Sequence, residues 1–148
     1  MVAVDLMPGM EALGDALRRA TRRVLAAESG ARLSCVAVLK TSRIALDSNV
    51  DTEGRNLHVQ RLVELKHWAR GLDVAAELVT YHVLEAPDPA TAIVDYAQNN
   101  DVDHIVVGAR ASSALRRFLG SVSSRVVAEA PCTVTVVRVP QTERGAAE

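Results

Sequence analysis

Residues 102–138, VDHIVVGARASSALRRFLGSVSSRVVAEAPCTVTVVR, decide the fold of this chain. The stretch begins with an apolar run that ends at Gly108 and continues through a polar, arginine-rich segment. A helical pattern starts at Gly120 and Ser121, Pro131 stops it, and a valine-rich run closes the stretch. Short apolar runs on either side of a helix are typical of parallel strands joined by a crossover, so this stretch predicts a strand–helix–strand unit.

The rest of the chain continues the same alternation of strands and helices. Short apolar runs at 2–5, 31–40 and 74–85 predict strands, and apolar residues at helical spacing in 7–30 and 57–72 predict helices. Asp88 and Pro89 mark a helix start, because the carboxylate caps free amides and proline loses no hydrogen bond there. We therefore predict one α/β domain at residues 1–140, an open five-stranded parallel sheet with helices on both faces, and a flexible tail at 141–148.

Composition excludes several classes of function. The 148 residues carry a net charge of −1 and only 3% aromatic residues, which argues against a basic DNA-binding surface and against base stacking. No apolar run approaches the ~20 residues of a membrane span, and the amino terminus lacks the pattern of a signal peptide. Cys35 and Cys132 show no CxxC spacing and are interpreted as small buried hydrophobes. We expect a cytoplasmic protein without nucleic-acid or membrane partners.

An aspartate and a glycine at the ends of two strands suggest where a ligand would bind. Asp5 follows the first strand and Gly108 ends the fourth, so the two residues line one crevice if these strands are neighbours. Gly108 would allow close backbone approach, and the helix starting at Gly120 would offer unpaired N–H groups beside the Ser121 and Ser123 hydroxyls. This pattern suits the phosphates of a nucleotide. Ordinary helix capping and tight turns explain the same residues and remain the alternative.

The stretch at 102–138, together with VAVD at 2–5 and SCVAVLK at 34–40, resembles the universal stress protein family. The resemblance covers nearly the whole chain and implies an open α/β fold with strand order 3-2-1-4-5. ATP-binding members of the family carry a Gly-x2-Gly-x9-Gly-Ser/Thr signature. Here Gly108 and Gly120 match its first and third glycines, Ala111 replaces the second, and eight residues rather than nine separate Ala111 from Gly120.

The resemblance implies a binding site for ATP, or for ADP or AMP, with Mg²⁺ arriving on the nucleotide. Asp5 would contact adenine or ribose, Val38 would meet adenine through its backbone, and Val107 and Gly108 would flank the base and ribose. Arg110, at a variable position of the same site, would assist, and Ala111 stands at the position of the second glycine of the signature. The phosphates would be held by Gly120, Ser121, Val122 and Ser123. We expect no metal site built from protein ligands, since His58 and His67 are nine residues apart rather than four.

The resemblance implies a stress-response regulatory or sensor domain. It also implies no efficient catalysis and at most slow ATP hydrolysis. The chain has no GxSxG motif that would make a nucleophile of Ser121 or Ser123. A nucleotide-free dimeric interaction module is the alternative. Residues 55–72 and 82–97 are also similar to universal stress domains joined to bacterial serine/threonine protein kinases, which makes a kinase regulatory domain a further alternative.

The last predicted strand, residues 133–139, would lie at an edge of the sheet. Such an edge presents unpaired backbone groups that proteins usually cover. Family members commonly dimerise through this strand, so we expect a homodimer formed by its antiparallel pairing. The alternative is a monomer whose edge is protected by Arg138 and Pro140.

Overall fold

The computed structural model describes residues 1–41, 54–110 and 119–139. Five strands alternate with four helices, in the order β1 (Val2–Ala3), α1 (Glu11–Ala27), β2 (Leu33–Lys40), α2 (Leu57–Ala69), β3 (Val79–Ala86), α3 (Pro89–Asn99), β4 (His104–Gly108), α4 (Ser121–Glu129) and β5 (Thr133–Val137). Two 3₁₀ turns, Arg70–Leu72 and Ala76–Leu78, connect α2 to β3. The predicted tail at 141–148 and Ala111 lie outside the described residues.

The strands form one parallel sheet in the order β3-β2-β1-β4-β5. This arrangement confirms the predicted fold class and strand order. Val2 at the centre pairs with Cys35 on one side and with Val106 on the other. Because β1 and β4 are neighbours, the residues that follow them meet at the same edge of the sheet.

Two apolar cores cover the two faces of the sheet, and successive strand residues alternate between them. One core contains Val2, Cys35 and Val106 and packs against α1 and α2. The other contains Ala3, Val36 and Val107 and packs against α3 and α4. Strands that are buried on both faces explain why their sequences are apolar throughout rather than alternating with polar residues.

Four of the predicted strands are shorter in the structure than in the sequence prediction, and the second begins at Leu33 rather than at residue 31. The first ends at Ala3 and the third begins only at Val79, because the preceding turn uses a Leu78 N–H to Ala75 carbonyl bond of 2.9 Å. The last strand ends at Val137, which pairs with Gly108 at the end of β4, so the ladder with β4 ends two residues before the predicted end of the strand.

The cysteine prediction was right for Cys35, which is fully buried, whereas Cys132 is partly exposed; both thiols are free. Burial raises the pKa of the Cys35 thiol to about 12. Among the helices that the structure describes, none has the length and hydropathy needed to cross a lipid bilayer.

Candidate functional site

A cleft of about 840 Å³ opens at the carboxyl ends of β1, β2 and β4. Its walls include the amino-terminal ends of α3 and α4. Every predicted binding residue that the structure describes lines this cleft: Asp5, Val38, Val107, Gly108, Arg110, Gly120, Ser121, Val122 and Ser123. The structure therefore brings together residues from β1, β2, β4 and α4 that are far apart in the sequence.

The amino terminus of α4 faces the cleft without a capping side chain. Gly120 is the N-cap residue, so it offers no side-chain acceptor to the first N–H groups of the helix. These N–H groups and the positive end of the helix dipole favour an anion. The sequence analysis expected the Ser123 hydroxyl to offer a donor to the cleft. Ser123 is instead 1% exposed, and its hydroxyl donates to the Gly120 carbonyl at 3.1 Å, which stabilises this turn.

The two glycines of the site have different surroundings. A Cβ on Gly108 would lie 2.9 Å from Leu13 Cδ2, so this glycine makes room for a buried side chain of α1. A Cβ on Gly120 would lie 3.7 Å from Ser123 Oγ and 3.9 Å from the Arg110 nitrogen, which is ordinary contact. The backbone angles of Gly120, φ −64° and ψ 166°, suit any residue. Neither packing among the described residues nor backbone conformation requires glycine at 120, so its preference for the N-cap position and close approach of a ligand are the two physical explanations.

Asp5 and Arg110 form an ion pair within the cleft. Arg110 Nε donates to Asp5 Oδ2 at 2.7 Å, and Arg110 Nη2 donates to the same oxygen. The other carboxylate oxygen accepts the Met7 N–H at 3.1 Å. The pair joins the end of β1 to the segment after β4, and sequence analysis assigned both residues to the site without predicting this contact.

A second ion pair, between Asp88 and Arg125, links the walls of the cleft. Asp88 caps α3 by accepting the Ala90 N–H at 3.2 Å, as predicted. It also accepts a hydrogen bond from Arg125 of α4, which in turn donates to Thr91 Oγ1 at 3.1 Å. Arg125, followed by the Thr91 hydroxyl, lowers the pKa of Asp88 to about 2. Sequence analysis missed Arg125, and only its helical spacing of four residues from Ser121 could have signalled it.

The described residues that line the cleft include four cationic side chains and two anionic ones. The cationic side chains are those of Lys40, Arg61, Arg110 and Arg125, and the anionic ones are those of Asp5 and Asp88. Arg61 also pairs with Glu64, with 2.7 Å between Nη1 and Oε2. The cleft thus carries local positive charge on a chain whose net charge is −1, which favours an anionic ligand.

A smaller groove of about 550 Å³ lies at the opposite edge of the sheet, beside the amino ends of β4 and β5. It contains Asp101, Asp103 and Cys132. The two aspartates therefore lie away from the cleft. Within residues 1–41, 54–110 and 119–139, no cluster of His, Cys, Asp and Glu side chains could hold a metal ion.

Comparison with known proteins identifies what this architecture resembles. A family model described as the universal stress protein family matches residues 1–138. A universal stress protein of Methanothermobacter thermautotrophicus is 48% identical over 56 residues, 38% of this chain and 38% of the relative. The matched segments span only about a third of the length of this relative and of two others.

Solved structures share the fold over nearly the whole chain. A universal stress protein in complex with cAMP is 23% identical, with a TM-score of 0.61, and the match covers 94% of this chain and 96% of that one. An Arabidopsis thaliana family protein with AMP bound is 18% identical, with a TM-score of 0.58, covering 86% and 78%. At these identities the likeness establishes the fold alone.

Proposed function

This chain belongs to the universal stress protein family, and from that premise we propose that it is a regulatory or sensor domain that binds an adenine nucleotide. The proposed ligand is ATP, or ADP or AMP, accompanied by Mg²⁺ that the nucleotide itself carries. The cleft between β1, β4 and α4 would hold it. Two structural neighbours, solved with cAMP and with AMP, support the class of ligand.

The uncapped amino terminus of α4 is the observation that carries this proposal. Gly120 supplies no side-chain acceptor to the first N–H groups of the helix, and neither its contacts with the described residues nor its backbone angles require glycine. A phosphate would accept those hydrogen bonds and lie at the positive end of the helix dipole. Asp5 and Val38, on the strand ends of the same cleft, would then meet the ribose and adenine.

Each group has a defined part in binding. The backbone N–H groups of Ser121, Val122 and Ser123 would orient the phosphates, and Arg110 would add a cationic donor. Mg²⁺ would neutralise part of the phosphate charge. We propose no catalytic residue, and hydrolysis would at most be slow.

Isothermal titration of ATP with Mg²⁺ tests this function. We expect micromolar binding by the unaltered chain and loss of about tenfold or more in affinity for Gly120→Val, because the branched side chain would block close approach of phosphate to the α4 amides. Ala26→Val, at an exposed position of α1, is the matched control and should bind normally.

No heat with ATP, ADP or AMP, and no nucleotide retained during purification, would contradict the proposal. The nucleotide-free interaction module would then be the better account of the same fold, with the glycines serving turn geometry. A regulatory domain of a kinase is a separate hypothesis, and the neighbouring sequence of the full-length protein would test it.

We further propose a cytoplasmic homodimer formed through β5. This strand lies at the edge of the sheet and pairs with β4 on one side, which leaves its other side available to a second copy. The proposed pairing is antiparallel, across a two-fold axis.

A further inference from the structure

We propose that Arg110 is an exchangeable counter-ion that makes the cleft selective for nucleotides over nucleosides. In this structure Arg110 pairs with Asp5; on binding, its guanidinium would move to the ligand's phosphate and release the Asp5 carboxylate to the sugar or base. This inference rests on the proposed nucleotide function. Under this proposal the Arg110 side chain couples the end of the site that binds phosphate to the end that binds the sugar or base.

The backbone and the guanidinium of Arg110 lie at different ends of the cleft. Its backbone nitrogen is 3.9 Å from the position that a Cβ on Gly120 would occupy, so its main chain is next to the amino terminus of α4. Its guanidinium nevertheless reaches the end of β1, where Nε lies 2.7 Å from Asp5 Oδ2. A change of side-chain rotamer alone would turn the guanidinium from Asp5 towards an anion held at α4.

Both carboxylate oxygens of Asp5 accept hydrogen bonds while Arg110 is in place. Oδ2 accepts two bonds from Arg110, and Oδ1 accepts the Met7 N–H at 3.1 Å. Oδ2 already accepts two bonds, whereas Oδ1 accepts one and keeps a further acceptor site, so a ribose hydroxyl or an adenine amine that bonds to Oδ2 must compete with Arg110. The Met7 bond would keep Asp5 oriented after Arg110 leaves.

The exchange is favourable only for a ligand that carries phosphate. The Arg110 side chain is 62% exposed, so its movement disturbs little packing among the described residues, and an ion pair with so exposed a partner contributes little to folding. Phosphate offers several anionic oxygens that match the planar fork of guanidinium and that the α4 amides bind as well. A nucleoside that bonds to Asp5 Oδ2 would have to break the pair without giving Arg110 a new partner, which disfavours its binding there.

Titration of ATP and adenosine into Arg110→Gln tests the selectivity. We expect about tenfold weaker ATP binding, with adenosine binding unchanged or stronger, because glutamine neither holds phosphate by charge nor neutralises Asp5. The ratio of the two affinities should therefore fall. Arg22→Gln, which removes an exposed arginine of α1, is the matched control for the change of net charge and should leave the ratio unaltered.

Inorganic tripolyphosphate examines the exchange without any contribution from adenine. Asp5→Asn should strengthen tripolyphosphate binding severalfold, because the neutral amide no longer holds Arg110 away from the anion, and Arg110→Gln should weaken it. The double variant should match Arg110→Gln alone, since Asp5 acts on the anion through Arg110.

Two results would overturn the inference while leaving the proposed function intact. In the first, Arg110→Gln lowers ATP and adenosine affinity equally or leaves both unchanged; in the second, Asp5→Asn leaves tripolyphosphate binding unchanged in a chain that binds ATP. Failure of the unaltered chain to bind ATP would instead refute the proposed function. In that case the tripolyphosphate series still decides the exchange, and absence of tripolyphosphate binding in all variants would refute it too.

Discussion

A methyl group on Gly108 would lie 2.9 Å from Leu13 Cδ2, whereas one on Gly120 would approach nothing closer than Ser123 Oγ at 3.7 Å. The two glycines look equivalent in the sequence because both flank the same polar segment. Only packing against α1, which the sequence does not encode locally, distinguishes them. At the scale of the residue, Gly108 serves the core and Gly120 serves the cleft.

The two alanine variants should therefore differ in stability. We expect Gly108→Ala to lower the free energy of unfolding by about 1–3 kcal/mol, the usual cost of overpacking a core, because the buried Leu13 must shift. Gly120→Ala should cost less, at most about 1 kcal/mol, since among the described atoms its added methyl makes only ordinary contacts and the loss is the N-cap preference for glycine over alanine. Urea unfolding followed by circular dichroism measures both values. Equal destabilisation by the two substitutions would contradict these assignments.

The sequence indicated the position of a residue in the fold where the reason was local or carried by the family resemblance. Asp5, at the end of a strand, and Gly120, at the start of a helix, could be placed in one cleft before the structure was known. The Asp5–Arg110 ion pair could not be, because it joins residues 105 positions apart and depends on how β1 and β4 align. Ala111 lies outside the described residues, so its place in the site stays a prediction.

At the scale of the element, α3 and α4 present their amino termini to the same cleft but are capped differently. Asp88 supplies a negative side chain to the first turn of α3, whereas Gly120 supplies none to α4. Arg125 reaches from α4 to Asp88 and ties the two helices together. Because the α3 terminus already has its anion, α4 is the terminus that would receive a phosphate.

Loss of Arg125 should raise the pKa of Asp88. The pKa is about 2 in the unaltered chain, against an ordinary value of 3.8, and Arg125 is the largest cause. In Arg125→Gln we expect it to move towards the ordinary value, with Thr91 and Ala90 still lowering it slightly. Carbon-13 NMR of the side-chain carboxyl during an acid titration measures the shift, and Arg22→Gln is the control.

The sign of the accompanying stability change follows from the lowered pKa. A carboxyl whose pKa falls on folding stabilises the folded chain above its unfolded pKa, and this contribution is lost as pH falls through the folded value. The difference in stability between the unaltered chain and Arg125→Gln should therefore shrink as pH drops from about 4 towards about 2. An unchanged Asp88 pKa in the variant would contradict the contact.

Element boundaries show the same limit of local reasoning. The α3 start was predictable from Asp88 and Pro89, since both signals act within one turn. The start of β3 was predicted five residues too early, because the apolar residues at 74–78 look like strand but belong to a connection with its own 3₁₀ turn. The partner of Asp88 was not predictable, because Arg125 is 37 positions away.

At the scale of the whole molecule, the sheet order brings the chemistry to one edge. The alternation of strands and helices predicts a parallel sheet from physical rules alone, whereas the order 3-2-1-4-5 came from the family resemblance. The net charge of −1 and the local sequence do not indicate a positively charged cleft. Its cationic side chains come from four separate segments of the chain, at Lys40, Arg61, Arg110 and Arg125. Their grouping depends on the complete fold.

A homodimer through β5 should have twice the 15.9 kDa mass of one chain. We expect size-exclusion chromatography with light scattering to give the dimer mass at micromolar concentrations, since backbone pairing would cover the free edge of the sheet. A mass equal to one chain at every concentration would instead favour an edge protected by its own sequence.

An NMR titration with ATP and Mg²⁺, which reports every assigned backbone amide at once, tests the central claim most directly. The account predicts saturable shifts of the amides of Gly120, Ser121, Val122 and Ser123. Shifts at Asp5 and Val38 should follow the same binding curve. Unchanged spectra, or shifts confined to the opposite groove around Asp101 and Cys132, would contradict the account.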